Sequence, residues 1–144
     1  MSEAAPVVRL ADIRDTPLDV GEVLAALSDA AAGGLTLFVG TVRDHDAEKA
    51  VTGLEYSAHP TALARLRSVA ERIAEEYDVL GVAAVHRIGH LAVGDAAVIV
   101  ATAAAHRGEA FEASRALIDE LKATVPIWKH QLFGDGTEEW VGTP

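Results

Sequence analysis

Ala96 to Ala105 reads AAVIVATAAA, ten residues in which Thr102 is the only polar side chain. The run is far short of the ~20 residues that a membrane helix needs. With β-branched residues at its centre, it has to be a central strand buried on both faces.

Around that strand the chain alternates strand-like and helical patterns. Val7 to Leu10 is a short β-prone run. Asp19 caps a helix through Val23, Leu24, Leu27 and Ala31, which stops at Gly33-Gly34. Leu35 to Val42 reads as a buried strand ending at Arg43, Asp44 to Lys49 as a polar loop, and Val51 to Ser57 as the returning partner of a long-looped hairpin. After Pro60 the residues Leu63, Leu66, Val69, Ala70, Ile73 and Tyr77 recur at helical spacing. Val82 to Ile88 is a strand and Gly89 to Gly94 a turn region. A helix from about Gly108 to Thr124 carries Ala110, Phe111, Ser114, Leu117, Ile118, Leu121 and Val125 on its inner stripe. Ile127 to Phe133 and Glu138 to Val141 form a terminal hairpin around Gly134-Asp135-Gly136. Hairpins mixed with helices, without regular βα alternation, predict an α+β fold with a largely antiparallel sheet and three main helices. With no repeat, linker or low-complexity tail, residues 1–144 are expected to form one domain.

Lysine plus arginine number 12 against 22 acidic residues, a formal charge of −10, which argues against nucleic acid or an anionic membrane as partner. There is no cysteine, so thiolate metal sites and a cysteine-borne persulfide are excluded; sulfur for any sulfur chemistry must come from another molecule. Met1 to Val8 lacks the basic start and apolar core of a secretory signal, and the expectation is a cytoplasmic protein with a frayed start.

Pro126 is the second fixed point. Proline has no N–H and pushes the residue before it out of the helical region, so the helix carrying Lys122 ends near Val125 and an extended segment carries Lys129. Two ammonium groups on different elements can then converge on one pocket. On a helical wheel Lys122 lies about 20° from Phe111 and about 40° from Ile118, at the margin of the apolar stripe. A stem lying on apolar surface with its head in water explains that position as well. Lys129 shares a strand face with Ile127, Gln131 and Phe133, while Trp128 and His130 take the other. A solvated edge strand would place it there too. Side by side, two ammonium groups depress each other's pKa, and one becomes a candidate acid or base near neutral pH.

His106-Arg107 ends the apolar strand and opens the helix that contains Lys122, where unpaired N–H groups favour a phosphate; a plain polar loop is the alternative. Arg43 repeats the arrangement after Val42. Arg107 and Lys122 are fifteen residues apart, ~22 Å along a helix, too far for one small substrate in one subunit. A two-fold dimer would bring the helix start of one copy to the lysines of the other. His86 and His90 on a strand or turn are ~13 Å apart and do not make a metal pair. Asp44-His45-Asp46 reads as a solvated loop, and no nucleophile or nucleotide-loop motif is present.

Phe38-Val39-Gly40-Thr41-Val42-Arg43, Leu54-Glu55-Tyr56, His86-Arg87-Ile88-Gly89, Ala105-His106-Arg107, Ala110-Phe111 and Leu121-Lys122 through Val125-Pro126-Ile127-Trp128-Lys129 resemble the large, catalytic subunit of molybdopterin synthase, the MoaE family. The likeness runs in order from about Leu35 to Val141. It implies an α/β hammerhead fold and a homodimer at the centre of a heterotetramer. A small ubiquitin-like sulfur carrier at each end would bring a C-terminal Gly-Gly thiocarboxylate. The implied reaction adds two sulfurs to cyclic pyranopterin monophosphate, with no resident cofactor and no metal. By position, Lys122 and Lys129 would be catalytic; Arg43, His106 and Arg107 would grip the substrate; Thr41, Val42, His130 and Gln131 would line the site. Gln131 stands where many relatives carry an acid, His59 where a tyrosine is common, and the tail stops at Pro144 where relatives often continue with basic residues. The alternative is a non-catalytic dimeric module that holds a phosphate-bearing ligand or a partner's tail.

Overall fold

The apolar run becomes the spine of a four-stranded sheet. A computed structural model describes residues 6–46 and 48–141. The elements are β1 (Val8–Arg14), α1 (Val20–Ala26), β2 (Gly34–Thr41), β3 (His45–Asp46), β4 (Lys49–Ala58), α2 (Ala62–Glu76), β5 (Gly81–Arg87), β6 (Gly89–Leu91), β7 (Ala96–Ala104), α3 (Arg107–Thr124), β8 (Ile127–Phe133) and β9 (Glu138–Val141). The readings of a frayed start before Pro6 and of a tail ending at Pro144 lie outside the described residues.

In the first sheet the order is β1-β5-β7-β2, with β1 parallel to β5 and the other pairs antiparallel. Side chains alternate across β7 as a strand requires. Val98, Val100 and Ala104 face α2 and α3, meeting Leu66, Val69, Ile73, Leu117 and Leu121. Ile99, Ala101 and Ala103 face α1, meeting Val23 and Leu27. Thr102, the one polar residue of the run, is fully buried and satisfied. Its hydroxyl donates to the Ala110 carbonyl at 2.7 Å and lies 2.8 Å from the Thr36 hydroxyl, so β7 and β2 are tied to the first turn of α3.

The second sheet runs β3-β4-β8-β9, with β6 added on β4. A small cluster of Val42, Leu54, Leu91 and Ala97, with Tyr56 against it, closes the seam between the sheets. This corrects the expected hairpin of the strands before and after residues 44–49: β2 pairs with β7, and β4 pairs with β8. A polar loop of that length carries no two-residue turn signal. The pairing was therefore settled by burial of β7 and not by local chain return.

Four smaller corrections have local causes. The first helix stops at Ala26, because Asp29 takes the Ala31 N–H at 2.9 Å and offers the backbone a turn in place of the helix. β2 is an edge strand with Leu35, Leu37 and Phe38 exposed, since none of the described residues pairs beyond it. Phe111 is 62 % exposed; the inner stripe of α3 is Ala110, Ala113, Ser114, Leu117 and Leu121, so the stripe is rotated away from both Phe111 and Lys122. Gly89 and Gly94, with φ of 91° and 90°, bracket β6, where the sequence suggested only a turn region.

Candidate active site

Pro126 acts as the sequence requires. Val125 before it is extended, at φ −80° and ψ 121°, and its N–H still bonds the Leu121 carbonyl. Lys122 therefore sits in the last turn of α3 and Lys129 early in β8. Both line a cavity of about 410 Å³ at the seam between the sheets, together with Thr41, Val42, Arg43 and Gln131. A second cavity of about 200 Å³ shares Tyr56, His86 and the same two lysines and continues along Leu121, Val125 and Ile127. The lysine pair thus stands between a cationic chamber and a smaller, more apolar one.

Burial pulls the pKa of Lys129 below that of a free lysine; Lys122 and Arg43 push the same way, while Asp46 and Glu139 oppose. Lys122 itself is exposed, not half-buried as its wheel position suggested. The consequence is a site with one exposed lysine and one partly desolvated one, Lys129, whose proton is given up more easily than that of a lysine in water.

His86 and Tyr56 form part of the wall between the chambers. His86 is 7 % exposed, and burial, helped by Lys122, brings its pKa down to about 4. Its Nδ1 lies 2.7 Å from the Arg87 carbonyl, which can only accept, so Nδ1 carries the proton and Nε2 is the free acceptor of a neutral ring. Tyr56 meets it edge-on, with ring centroids 5.0 Å apart, and burial raises the phenol pKa.

Asp46 is not simply solvated. Gln131, 4 % exposed, donates from Nε2 to Asp46 Oδ2 at 2.7 Å, and Arg43 Nη2 lies 3.8 Å from Asp46 Oδ1.

Other expected site residues lie elsewhere in the chain. His106 and Arg107, exposed at the start of α3, border a separate cavity of about 620 Å³ with Gly33 and Gly108. His130 points to the opposite face of β8 from Lys129 and Gln131, stacked on Trp140 at 4.3 Å and 3.2 Å from the Glu138 carboxylate. Strand alternation alone dictates that separation. Among the described residues no three His, Asp or Glu side chains gather as metal ligands, and no helix is long and apolar enough to cross a membrane. His86, Tyr56 and Asp46 were not singled out as site residues from the sequence. The first two lie in stretches that carried the resemblance; nothing in the sequence pattern marked the third.

Two sheets meeting at a lysine-lined seam, with α2 and α3 behind one of them, define the class: an α+β protein with a cationic cavity at the junction of its sheets. The crystal structure of molybdopterin synthase from Staphylococcus aureus matches with a TM-score of 0.84 at 30 % identity, over 90 % of this chain and 95 % of that one. A Helicobacter pylori structure, described as a complex of subunits 1 and 2 of molybdopterin-converting factor, shares the fold at TM-score 0.70 and 20 % identity, over 96 % of this chain and 94 % of that one. Molybdopterin synthase catalytic subunit 1 of Mycobacterium tuberculosis is 47 % identical over 140 residues, 96 % of this chain and 92 % of the relative. The MoaE protein family model matches residues 13–124. The chain belongs to the MoaE family of molybdopterin synthase catalytic subunits, enzymes of molybdenum cofactor biosynthesis. A non-catalytic module is thereby set aside.

Proposed function

We propose that this chain transfers sulfur from the C-terminal thiocarboxylate of a small ubiquitin-like carrier to cyclic pyranopterin monophosphate, twice per product, to form the molybdopterin dithiolene in the cytoplasm. The observation that carries the proposal is the convergence of Lys122 and Lys129, across Pro126, on one cavity with Arg43. Thiocarboxylate and phosphate are both anions, and this cavity sets cations against the background of an acidic chain. The chain has no cysteine, so sulfur has to arrive on a partner. In this scheme Lys122 and Lys129 are catalytic: the ammonium groups hold the two anions together, and the partly desolvated Lys129 exchanges a proton with the group that forms or leaves. Thr41, Val42 and Gln131 shape the chamber around the pterin.

His106 and Arg107 join through a second copy. Within one chain they are at the far end of α3 from Lys122, ~22 Å away. Leu35 and Leu37 on one face of the edge strand β2, and Phe38 on the other with Phe111 of α3, leave apolar side chains exposed on both sides of that edge, where a homodimer contact could cover them. The two-subunit description of the Helicobacter pylori neighbour fits a carrier at each end of such a dimer.

Reconstitution tests the proposal: the protein is mixed with a thiocarboxylated carrier and cyclic pyranopterin monophosphate, and dithiolene product is assayed. No product, under conditions where a known synthase works, refutes it. Mixed dimers of Arg107→Ala and Lys122→Ala chains test the shared site; activity should recover above that of either variant alone, up to about a quarter of wild type when subunits mix at random and one site is rebuilt.

A further inference from the structure

The carboxylate of Asp46 reaches across the seam. Its backbone is pinned by the short antiparallel pairing of His45 with Ala50 and of Asp46 with Lys49. One carboxyl oxygen takes the hydrogen bond of the buried Gln131 amide at 2.7 Å; the other stands 3.8 Å from Arg43. Gln131 shares its strand face with Lys129, and Arg43 follows the end of β2 in the other sheet. A buried amide donor is costly without an acceptor, and an ionised one makes the stronger bond. One acidic side chain therefore touches both halves of a wall that carries Lys129 and Arg43.

We propose that Asp46 is a positioning residue of the site: through Gln131 and Arg43 it supplies a fixed negative charge against which Lys129 and Arg43 are oriented. The proposal rests on the reading that Lys129 works in this cavity. The groups facing Lys129 are Asp46 from β3, Lys122 from α3, Arg43 beyond β2 and Glu139 from β9. Tyr56 from β4 and His86 from β5 border the same chamber. Burial, Lys122 and Arg43 favour the neutral amine; Asp46 favours the ammonium. Removing the Asp46 charge therefore moves the Lys129 titration to lower pH.

The chain has three lysines, Lys49, Lys122 and Lys129, so side-chain NMR of the lysine-labelled full-length protein resolves each ammonium. Asp46→Asn keeps the shape and an acceptor oxygen for Gln131 while deleting the charge. Its Lys129 signal should titrate at lower pH than in wild type. The double variant Asp46→Asn/Gln131→Glu, which moves the carboxylate to the other end of the same hydrogen bond, should bring it back. In the reconstituted reaction, kcat of Asp46→Asn at neutral pH should fall roughly fivefold with KM little changed, as expected for a partly exposed charge pair. The pH limb carried by Lys129 should move with the NMR titration. A Lys129 titration left in place by Asp46→Asn, or a double variant no closer to wild type than the single one, overturns the proposal. Failure of the wild type to make product would instead refute the sulfur-transfer reading, and the titration would still decide the role of Asp46.

Discussion

The two sheets of this protein are built by opposite rules. In the first, β5 and β7 are buried almost throughout and carry Val, Ile and Ala on both faces. In the second, β8 is half-buried, β9 is exposed along its length, and charged or polar residues stand among the apolar ones. The first sheet is rigid because packing leaves it no alternative; the second keeps enough water contact to hold ionisable groups at modest cost. The cavity lies where the two meet, and the lesson is one of division: the first sheet fixes the geometry and carries Lys122 and Arg43 at its margin, while the second brings Lys129 to meet them.

The sharpest way to separate the two roles is to cut the charge alone. Lys129→Ala, or Lys122→Ala, should lower turnover by about 10²–10⁴-fold in the reconstituted reaction, with urea unfolding close to wild type. Ile99→Ala attacks the geometry instead. Ile99 is fully buried between Ala83, Ala101 and Val23 and their neighbours, and the cavity left behind should cost about 2–5 kcal/mol in urea unfolding.

His86 lies on the border and joins both roles. Its pKa is about 4 in the fold against an ordinary 6.5, so the unfolded chain takes up the proton first. Stability from this group is full above pH 6.5 and is lost as pH falls toward about 4. In His86→Leu the stability difference between pH 7 and pH 4.5, measured by urea unfolding at each, should shrink by about 2–3 kcal/mol. The smallest effect belongs to the outer margin of the second sheet: Trp140→Ala removes an exposed stack on His130 and should cost about 1 kcal/mol or less by the same measurement.

What the sequence disclosed follows the same division. The run from Ala96 to Ala105 announced β7 because only a doubly covered strand tolerates such a composition, and Pro126 announced the meeting of Lys122 and Lys129 because proline dictates backbone state locally. The terminal hairpin was legible for the same local reason, through Gly136 at φ 86°. The partner of β2 was not, since pairing across the molecule is decided by what β7 needs on its open edge. Asp46 was hidden for a related reason: its partner Gln131 is 85 residues away, and a polar loop looks the same whether its carboxylate faces water or a buried amide. Phe111 was misassigned because a large apolar side chain on a helix suggests a core, whereas here the core stripe is made mostly of alanines and leucines next to it.

The uninterrupted helix α3 has a further consequence. In the proposed dimeric site it is the spacer between the His106-Arg107 pair and Lys122, and a helix sets distance by counting residues. Deleting one residue from its middle would shorten the spacing by about 1.5 Å and turn everything beyond by about 100°. Arg115 and Asp119, exposed on its outer surface, have room for substitution, but under the proposed shared site insertions and deletions between Arg107 and Lys122 should not be tolerated. Of all segments in this protein, α3 should therefore vary least in length while varying freely in outward-facing identity: it works as a ruler.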